Sequence, residues 1–339
     1  MSSPKISKMN EFEFISGVLR KFAHLTPKNA LGIGDDCAVL PSLQNSGDRL
    51  LVTTDLLVED IHFIRAKSKA QDIGYKALAV NLSDIAAMGG RPLAFFLSLA
   101  LPKTLDKNWA AHFLKGLHQC AREFHVPLLG GDTTGSKKSI AINICVLGSA
   151  NAKRIKLRSQ AKVGDVVCVT GFLGDSAAGL QLIRGKSSLS SRDQAPLLRA
   201  HFKPKPHLEE GVWLANQSAV HAMMDVSDGI HSDLPHILKA SNCGGKVSFE
   251  KLPLSGALVR YCKSTKQNAI PLALMGGEDY CLLCTIKGSN VDQISREFER
   301  RFGRPLYRIG EITSRPGKLE YFHNGEKVTP SGHSFRHFG

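Results

Sequence analysis

The sequence predicts a mixed α/β protein of two domains, and three observations carry that prediction. At 339 residues the chain is about twice the ~150-residue domain prior. Apolar runs of strand type alternate with runs of helical periodicity through both halves. The alternation pauses over residues 153–163 and restarts after Gly164-Asp165, so the expected domains are residues 1–150 and 151–339.

Taken in order, Phe12, Ile15, Val18, Leu19 and Phe22 fall at helical spacing and predict an opening amphipathic helix over residues 10–25. Residues 49–54 (Arg-Leu-Leu-Val-Thr-Thr) read as a buried strand. Ile73, Leu78, Val80, Ile85 and Met88 predict a long helix over 72–88, closed by Gly89-Gly90. A strand at 94–101, a helix at 109–124 and a strand at 139–148 complete the first half. The second half repeats the order with a strand at 166–170, a helix at 208–218, a strand at 221–226 and a helix at 234–240. The Ser- and charge-rich stretch 184–192 is expected to be a mobile loop.

A composition of 42% hydrophobic and 22% charged residues excludes a disordered, collagen-like or coiled-coil chain. The best apolar run, 93–101, is half the ~20 residues a membrane helix needs. The first ten residues are polar and lysine-bearing, so neither a secretory signal nor a membrane partner is expected, and the location predicted is cytoplasmic. The formal net charge is +14, with 17 basic and 13 acidic residues before position 150 and 27 and 17 after it. That surplus suits a polyanionic small ligand; the basic residues are scattered without a run of four, so no nucleic-acid partner is expected. Of eight cysteines only Cys281 and Cys284 have CxxC spacing, with no second pair to complete a zinc set. They read as core residues of a buried strand in a reducing compartment.

The acids are placed unevenly. Asp35, Asp36, Asp55, Glu59, Asp60, Asp84, Asp132, Asp225, Asp228, Glu278 and Asp279 have no Lys or Arg within four positions and sit in apolar or Gly/Thr-rich text. Asp132 and Asp228, taken singly, also suit turns or helix N-caps. Asp84 interrupts an apolar helix. A desolvated carboxylate is costly unless it is paired or binds a metal, and several together suit hard cations, since Mg²⁺ takes oxygen ligands and bridges phosphates. The adjoining glycines would let backbone N–H groups approach phosphate oxygens. The chain contains no P-loop, kinase glycine loop or GxGxxG, so nucleotide chemistry here needs an aspartate-and-metal architecture. Asn81-Leu-Ser-Asp84 and Asp225-Val-Ser-Asp228 also form a weak internal echo.

Six of these motifs, in order along a span from about Glu11 to Phe338, resemble the thiamine-monophosphate kinase family of the aminoimidazole ribonucleotide synthetase superfamily. They are Gly32-Ile-Gly-Asp-Asp-Cys-Ala-Val39, Thr53-Thr-Asp-Leu-Leu-Val-Glu-Asp-Ile-His-Phe63, Asn81-Leu-Ser-Asp-Ile-Ala-Ala-Met-Gly89, Gly130-Gly-Asp-Thr-Thr134, Asp225-Val-Ser-Asp-Gly229 and Gly276-Gly-Glu-Asp-Tyr280. The resemblance implies the two-domain synthetase-like architecture, with a homodimer formed through the first domain. It implies ATP-dependent conversion of thiamine monophosphate to thiamine diphosphate by direct in-line transfer, with no covalent nucleophile. It further implies that Asp36, Thr53, Thr54, Asp55, Asp84, Asp132, Asp225 and Asp228 hold several Mg²⁺ ions around the ATP phosphates, Thr54 through its carbonyl. Gly131, Asp132, Arg158 and Ser227 would contact ATP; His62 and Glu278 would contact thiamine monophosphate, and Phe335 would pack on its rings.

Two positions depart from the family pattern. Asp60 adds an acid where relatives often carry a small residue, and Phe124 and His125 stand where relatives tend to have Tyr. Two other readings remain open from sequence. One is another ATP-using enzyme of the superfamily, phosphorylating an amide or carbonyl oxygen. The other is a non-catalytic nucleotide- or nucleic-acid-binding regulator, recognisable by steep salt dependence of binding.

Overall fold

The computed structural model describes residues 29–31, 34–41, 47–185 and 189–330; the expected helix at 10–25 lies outside them. Strands β1 (Ala38–Pro41), β2 (Asp48–Val58), β3 (Arg91–Pro102), β4 (Leu128–Ser136) and β5 (Ala141–Asn151) form one sheet in the order β1-β2-β5-β3-β4. All its pairings are antiparallel except β3 with β4. Alternate residues of β5 (Ile142, Ile144 and Val146) are fully buried against helices α1 (Ala70–Ala87) and α2 (Lys107–Glu123) through Leu78, Leu82, Phe113 and Leu117. This is the one-face-in pattern of a sheet covered on one side. On the other face Leu56 and Phe96 are exposed.

The second sheet comprises β6 (Asp165–Val169), β7 (Val220–Asp225), β8 (Gly244–Ser248), β9 (Leu282–Lys287), β10 (Tyr307–Thr313), β11 (Leu319–His323) and β12 (Glu326–Val328), in the order β12-β11-β8-β10-β6-β9-β7. Only β8 and β11 run parallel. Strand–helix alternation therefore yields two mixed, mostly antiparallel sheets, the α+β side of the predicted class. Along β9 five consecutive residues, Leu282 to Ile286, are buried, which is why that segment reads as an unbroken apolar run. Helix α6 (Ile230–Ala240) joins one core, while α5 (Leu208–Ala215) and the helix Val291–Phe302 join another. All eight cysteines are free, and Cys281 and Cys284 are buried as expected. Among the described residues no helix is long and apolar enough to cross a membrane.

Helix α1 serves both halves. Leu78, Leu82 and Ile85 pack in the first core, while Ala86 and Ala87 pack with Leu214, Met223 and Leu282 of the second. Gly211 of α5 approaches so closely that a Cβ there would meet the Ala86 carbonyl oxygen at 2.2 Å. A helix buried on most of its circumference cannot show a clean amphipathic stripe, and an acid on it must face a polar site.

Some elements differ from the sequence expectation. Gly130-Gly131-Asp132, readable as a turn, lies inside the edge strand β4, whose residues up to Gly135 are all exposed and so show no alternation. Gly131 has φ +156°, and a Cβ there would meet the Leu97 carbonyl oxygen of β3 at 1.8 Å, so the pairing itself requires glycine. Of the expected loop 184–192, residues 186–188 lie outside those described, while α3 (Asp175–Arg184) ends at its first residue and α4 (Ser191–Phe202) takes its last two, with Ser190 capping α4 by accepting from the Asp193 N–H. Ser-rich, charged text masked two helix ends there. α6 starts at Ile230, four residues earlier than expected, with Pro235 inside it.

Candidate active site

Three carboxylates from distant parts of the chain converge where the halves meet. Asp36 precedes β1, Asp84 lies near the end of α1 and faces the cleft, and Asp225 ends β7; each offers an oxygen within 4.8 Å of the others. Thr53 Oγ1 donates to Asp84 Oδ2 at 2.5 Å, and Ser83 Oγ donates to Asp225 Oδ2 at 2.6 Å. The internal echo thus has a physical meaning: the two Ser-Asp motifs face each other across the junction. Arg158, in the single turn Arg158–Gln160, grips Asp36 with two bonds, Nε to Oδ2 at 3.1 Å and an Nη to Oδ1 at 2.9 Å. Its backbone N–H also donates to Asp35 Oδ2 at 3.2 Å.

One guanidinium cannot neutralise this gathering. Burial, and then Asp55, Asp225 and Asp36, push the Asp84 carboxyl well above the ordinary carboxylate range; burial and Asp36 do the same to Asp225. Burial lifts Asp55 to about 6, and burial with Asp36 lifts Asp35 to about 7. Like charges crowded in low dielectric hold their protons unless a cation displaces them. The donors are all oxygen, which fits a hard divalent ion of the Mg²⁺ type and not zinc.

A cleft of about 340 Å³ runs from these acids along α1. Asp55, Asp84, Asp225, Ser227 and Asp228 line one region, and His62, Lys76, His201 and Glu278 the other, with Leu57, Phe63 and Ile183 among the apolar lining. Glu278 Oε1 lies 2.6 Å from Lys76 Nζ and its Oε2 3.3 Å from His201 Nδ1. Burial pushes the Glu278 carboxyl up, but Lys76 and His201 outweigh it and hold the group below its ordinary value. Burial and Lys76 press His201 down to about 4, so it is neutral at physiological pH. His62 Nδ1 accepts from the Val58 N–H at 3.0 Å. Glu278 and Tyr280 both adopt positive φ, 57° and 49°, on a loop pinned by Glu278 N–H to Ser227 carbonyl at 2.6 Å and Tyr280 N–H to Val226 carbonyl at 2.8 Å. Two non-glycine residues in the left-handed region within three positions mark stored backbone strain at the site.

The remaining expected residues fall elsewhere. The Thr54 side chain is exposed, on the opposite face of β2 from Thr53, and its Oγ1 accepts from Asn143 Nδ2 at 2.8 Å. Gly131 and Asp132 lie on exposed β4, and Asp132 is not one of the converging carboxylates. Phe335 lies outside the described residues. Asp60 lines the cleft with φ 65°, and Phe124 closes α2 and packs on the first core. Sequence reasoning missed Lys76 and His201. The usable signal for Lys76 was its spacing: positions 76, 80 and 84 share one helix face.

Two family models match the chain: AIR synthase related protein, N-terminal domain, over residues 34–150, and the corresponding C-terminal domain over residues 162–321. Arg158 falls between them. A thiamine-monophosphate kinase of Haemophilus influenzae is 37% identical over 334 residues, which cover 97% of this chain and 98% of that protein. The chain belongs to the thiamine-monophosphate kinase family. The family's Escherichia coli K12 member is 38% identical over 311 residues, 91% of this chain and 92% of that protein. The solved structure of AaThiL complexed with AMPPCP and TMP superposes with a TM-score of 0.84 at 30% identity, covering 99% of this chain and all of that one.

Proposed function

We propose that this chain transfers the γ-phosphoryl group of ATP to the phosphate of thiamine monophosphate, giving thiamine diphosphate and ADP. The observation that carries the reading is the convergence of Asp36, Asp84 and Asp225 beside a cleft whose other wall presents Glu278. A relative of the same fold has been solved with an ATP analogue and TMP. Asp36, Asp84 and Asp225 would hold Mg²⁺, with Asp55, Asp228 and the Thr53 hydroxyl close by; Thr54, through its carbonyl, and Asp132 are assigned to the same metal set. When bound, Mg²⁺ would neutralise charge on the transferring phosphoryl group and align it. Arg158 fixes Asp36, and we assign it, Gly131, Asp132 and Ser227 to ATP. Glu278 opposes the thiazolium cation, His62 orients the substrate, and Phe335 is assigned to its rings. The acceptor is a phosphate monoester with a second pKa near ~6, already ionised at neutral pH, so the chain needs no general base.

We also propose a homodimer through the open face of the first sheet, where Leu56 and Phe96 are exposed. The reaction is assigned to the cytoplasm, in keeping with eight free cysteines. The test is turnover of ATP with thiamine monophosphate, with and without Mg²⁺, following ADP and thiamine diphosphate together. Stoichiometric formation of both, only with metal, is expected. ADP without thiamine diphosphate would point to a different acceptor, and no turnover from folded, ATP-binding protein would remove the reading.

A further inference from the structure

The second region of the cleft contains a cation that no role so far explains. Lys76 has a side chain only 6% exposed, lies on the same face of α1 as Val80 and Asp84, and lines the cleft with them. Its ammonium contacts Glu278 Oε1 at 2.6 Å, and Glu278 is the one ion-pair partner of Nζ among the described residues. An ammonium carries three donors, and a buried one with donors unmet is costly. The other charged groups lining the cleft are the acids Asp55, Asp60, Asp84, Asp225 and Asp228, and the exposed Arg184 at its edge. The neighbouring His201 is neutral at physiological pH, which leaves Lys76 as the charged, buried donor in this wall.

We infer that Lys76 binds the phosphate of thiamine monophosphate, and that the Lys76–Glu278 ion pair is the protein's own counterpart of the two opposite charges that this substrate inserts between its members. The inference rests on the reading above and adds a residue to it. Thiamine monophosphate carries a thiazolium cation and a phosphate monoester joined by a short two-carbon arm. Its cation replaces Lys76 as the partner of Glu278, and its phosphate replaces Glu278 as the partner of Lys76. Asp84 lies eight residues further along the helix, about 12 Å at 1.5 Å per residue, so a phosphate held by Lys76 is presented toward the acidic end. Free thiamine brings the cation without the anion, and separating the pair for it would leave Lys76 unpaired in a buried wall. Lys76 is thus a specificity residue for the phosphorylated form.

The test is calorimetric binding of thiamine monophosphate and of thiamine, with Mg²⁺ and a non-hydrolysable ATP analogue present, to wild type, Lys76→Met and Lys76→Arg. Wild type should prefer the monophosphate by about 10- to 100-fold, the range of a charge-assisted hydrogen bond. Lys76→Met should lose that preference while binding thiamine at least as well, and Lys76→Arg should recover part of it. An unchanged ratio, or equal weakening of both ligands, would overturn the inference. If Lys76→Met leaves Glu278 unpaired and fails to fold, Lys76→Met/Glu278→Met removes both charges. The lost thiazolium contact weakens both ligands alike and cancels in the ratio, so loss of the preference supports the inference and an unchanged ratio overturns it. Failure of the functional reading itself is separately visible, as absence of thiamine monophosphate turnover by wild type.

Discussion

The two regions of the cleft manage charge in opposite ways. Around Asp84, Asp36 and Asp225 stand together with Asp55 and Asp35 nearby, and one Arg158 opposes them, so the Asp84, Asp225, Asp55 and Asp35 carboxyls are pushed upward. Around Glu278, one carboxylate meets Lys76 at 2.6 Å and is held below its ordinary value despite burial. An uncompensated cluster calls for a cation from outside. A compensated pair calls for a ligand that brings both signs. A kinase that joins a metal-dependent nucleotide to a zwitterionic acceptor needs one of each, and α1 links them along a single face.

The comparison breaks most clearly at Asp84. Asp84→Asn removes one acid from the crowd, so the cation-free protein should melt no lower than wild type. Turnover should nonetheless fall on the order of 1,000-fold, since metal assistance is worth several kcal/mol in the transition state. Near-normal activity with normal metal dependence would show that this carboxylate is not part of the cation site. At the other end, Glu278→Gln should raise the KM for thiamine monophosphate by about 10- to 100-fold and leave ATP-analogue affinity unchanged, read by separate titrations. Equal loss of both would remove its substrate role.

A smaller effect separates the regions by pH. Asp55 keeps its proton to about 6 in the folded protein but releases it near 3.8 when unfolded. Protonation therefore stabilises the fold fully below about 4, and the contribution is lost as pH rises through about 6. Without divalent cation, stability should decline across that window by on the order of 1–3 kcal/mol, and Mg²⁺ should restore it above pH 7. Melting curves that Mg²⁺ does not shift at pH 8 would contradict this. The smallest effect belongs to Asp60, whose φ of 65° suits glycine better. Asp60→Gly should change stability by no more than about 1 kcal/mol and keep turnover within about twofold, measured side by side with wild type.

The acidic end was legible in sequence because an acid is conspicuous in apolar text: Asp84 sits among Leu82, Ile85 and Ala86, and Asp225 follows Met223-Met224. Lys76 was not, because one lysine in a helix reads as a surface residue whose stem lies along the protein; only packing of α1 from both halves buries it. The order of strands and helices was readable, yet strand direction was not, since pairing between distant segments such as β6 and β10 leaves no local trace. β4 escaped notice for a different reason: exposed on nearly every residue, it lacks the alternation that announces a strand.

The most direct measurement of the account is a calorimetric titration of Mg²⁺ into wild type and Asp84→Asn, each saturated with a non-hydrolysable ATP analogue. Wild type should bind the ion with an affinity that falls as pH is lowered from 8 to 6, as protons compete for the crowded carboxyls, and Asp84→Asn should bind it at least about 10-fold more weakly. Equal binding by the two proteins, without pH dependence, would contradict the assignment of the Asp36–Asp84–Asp225 cluster as the cation site.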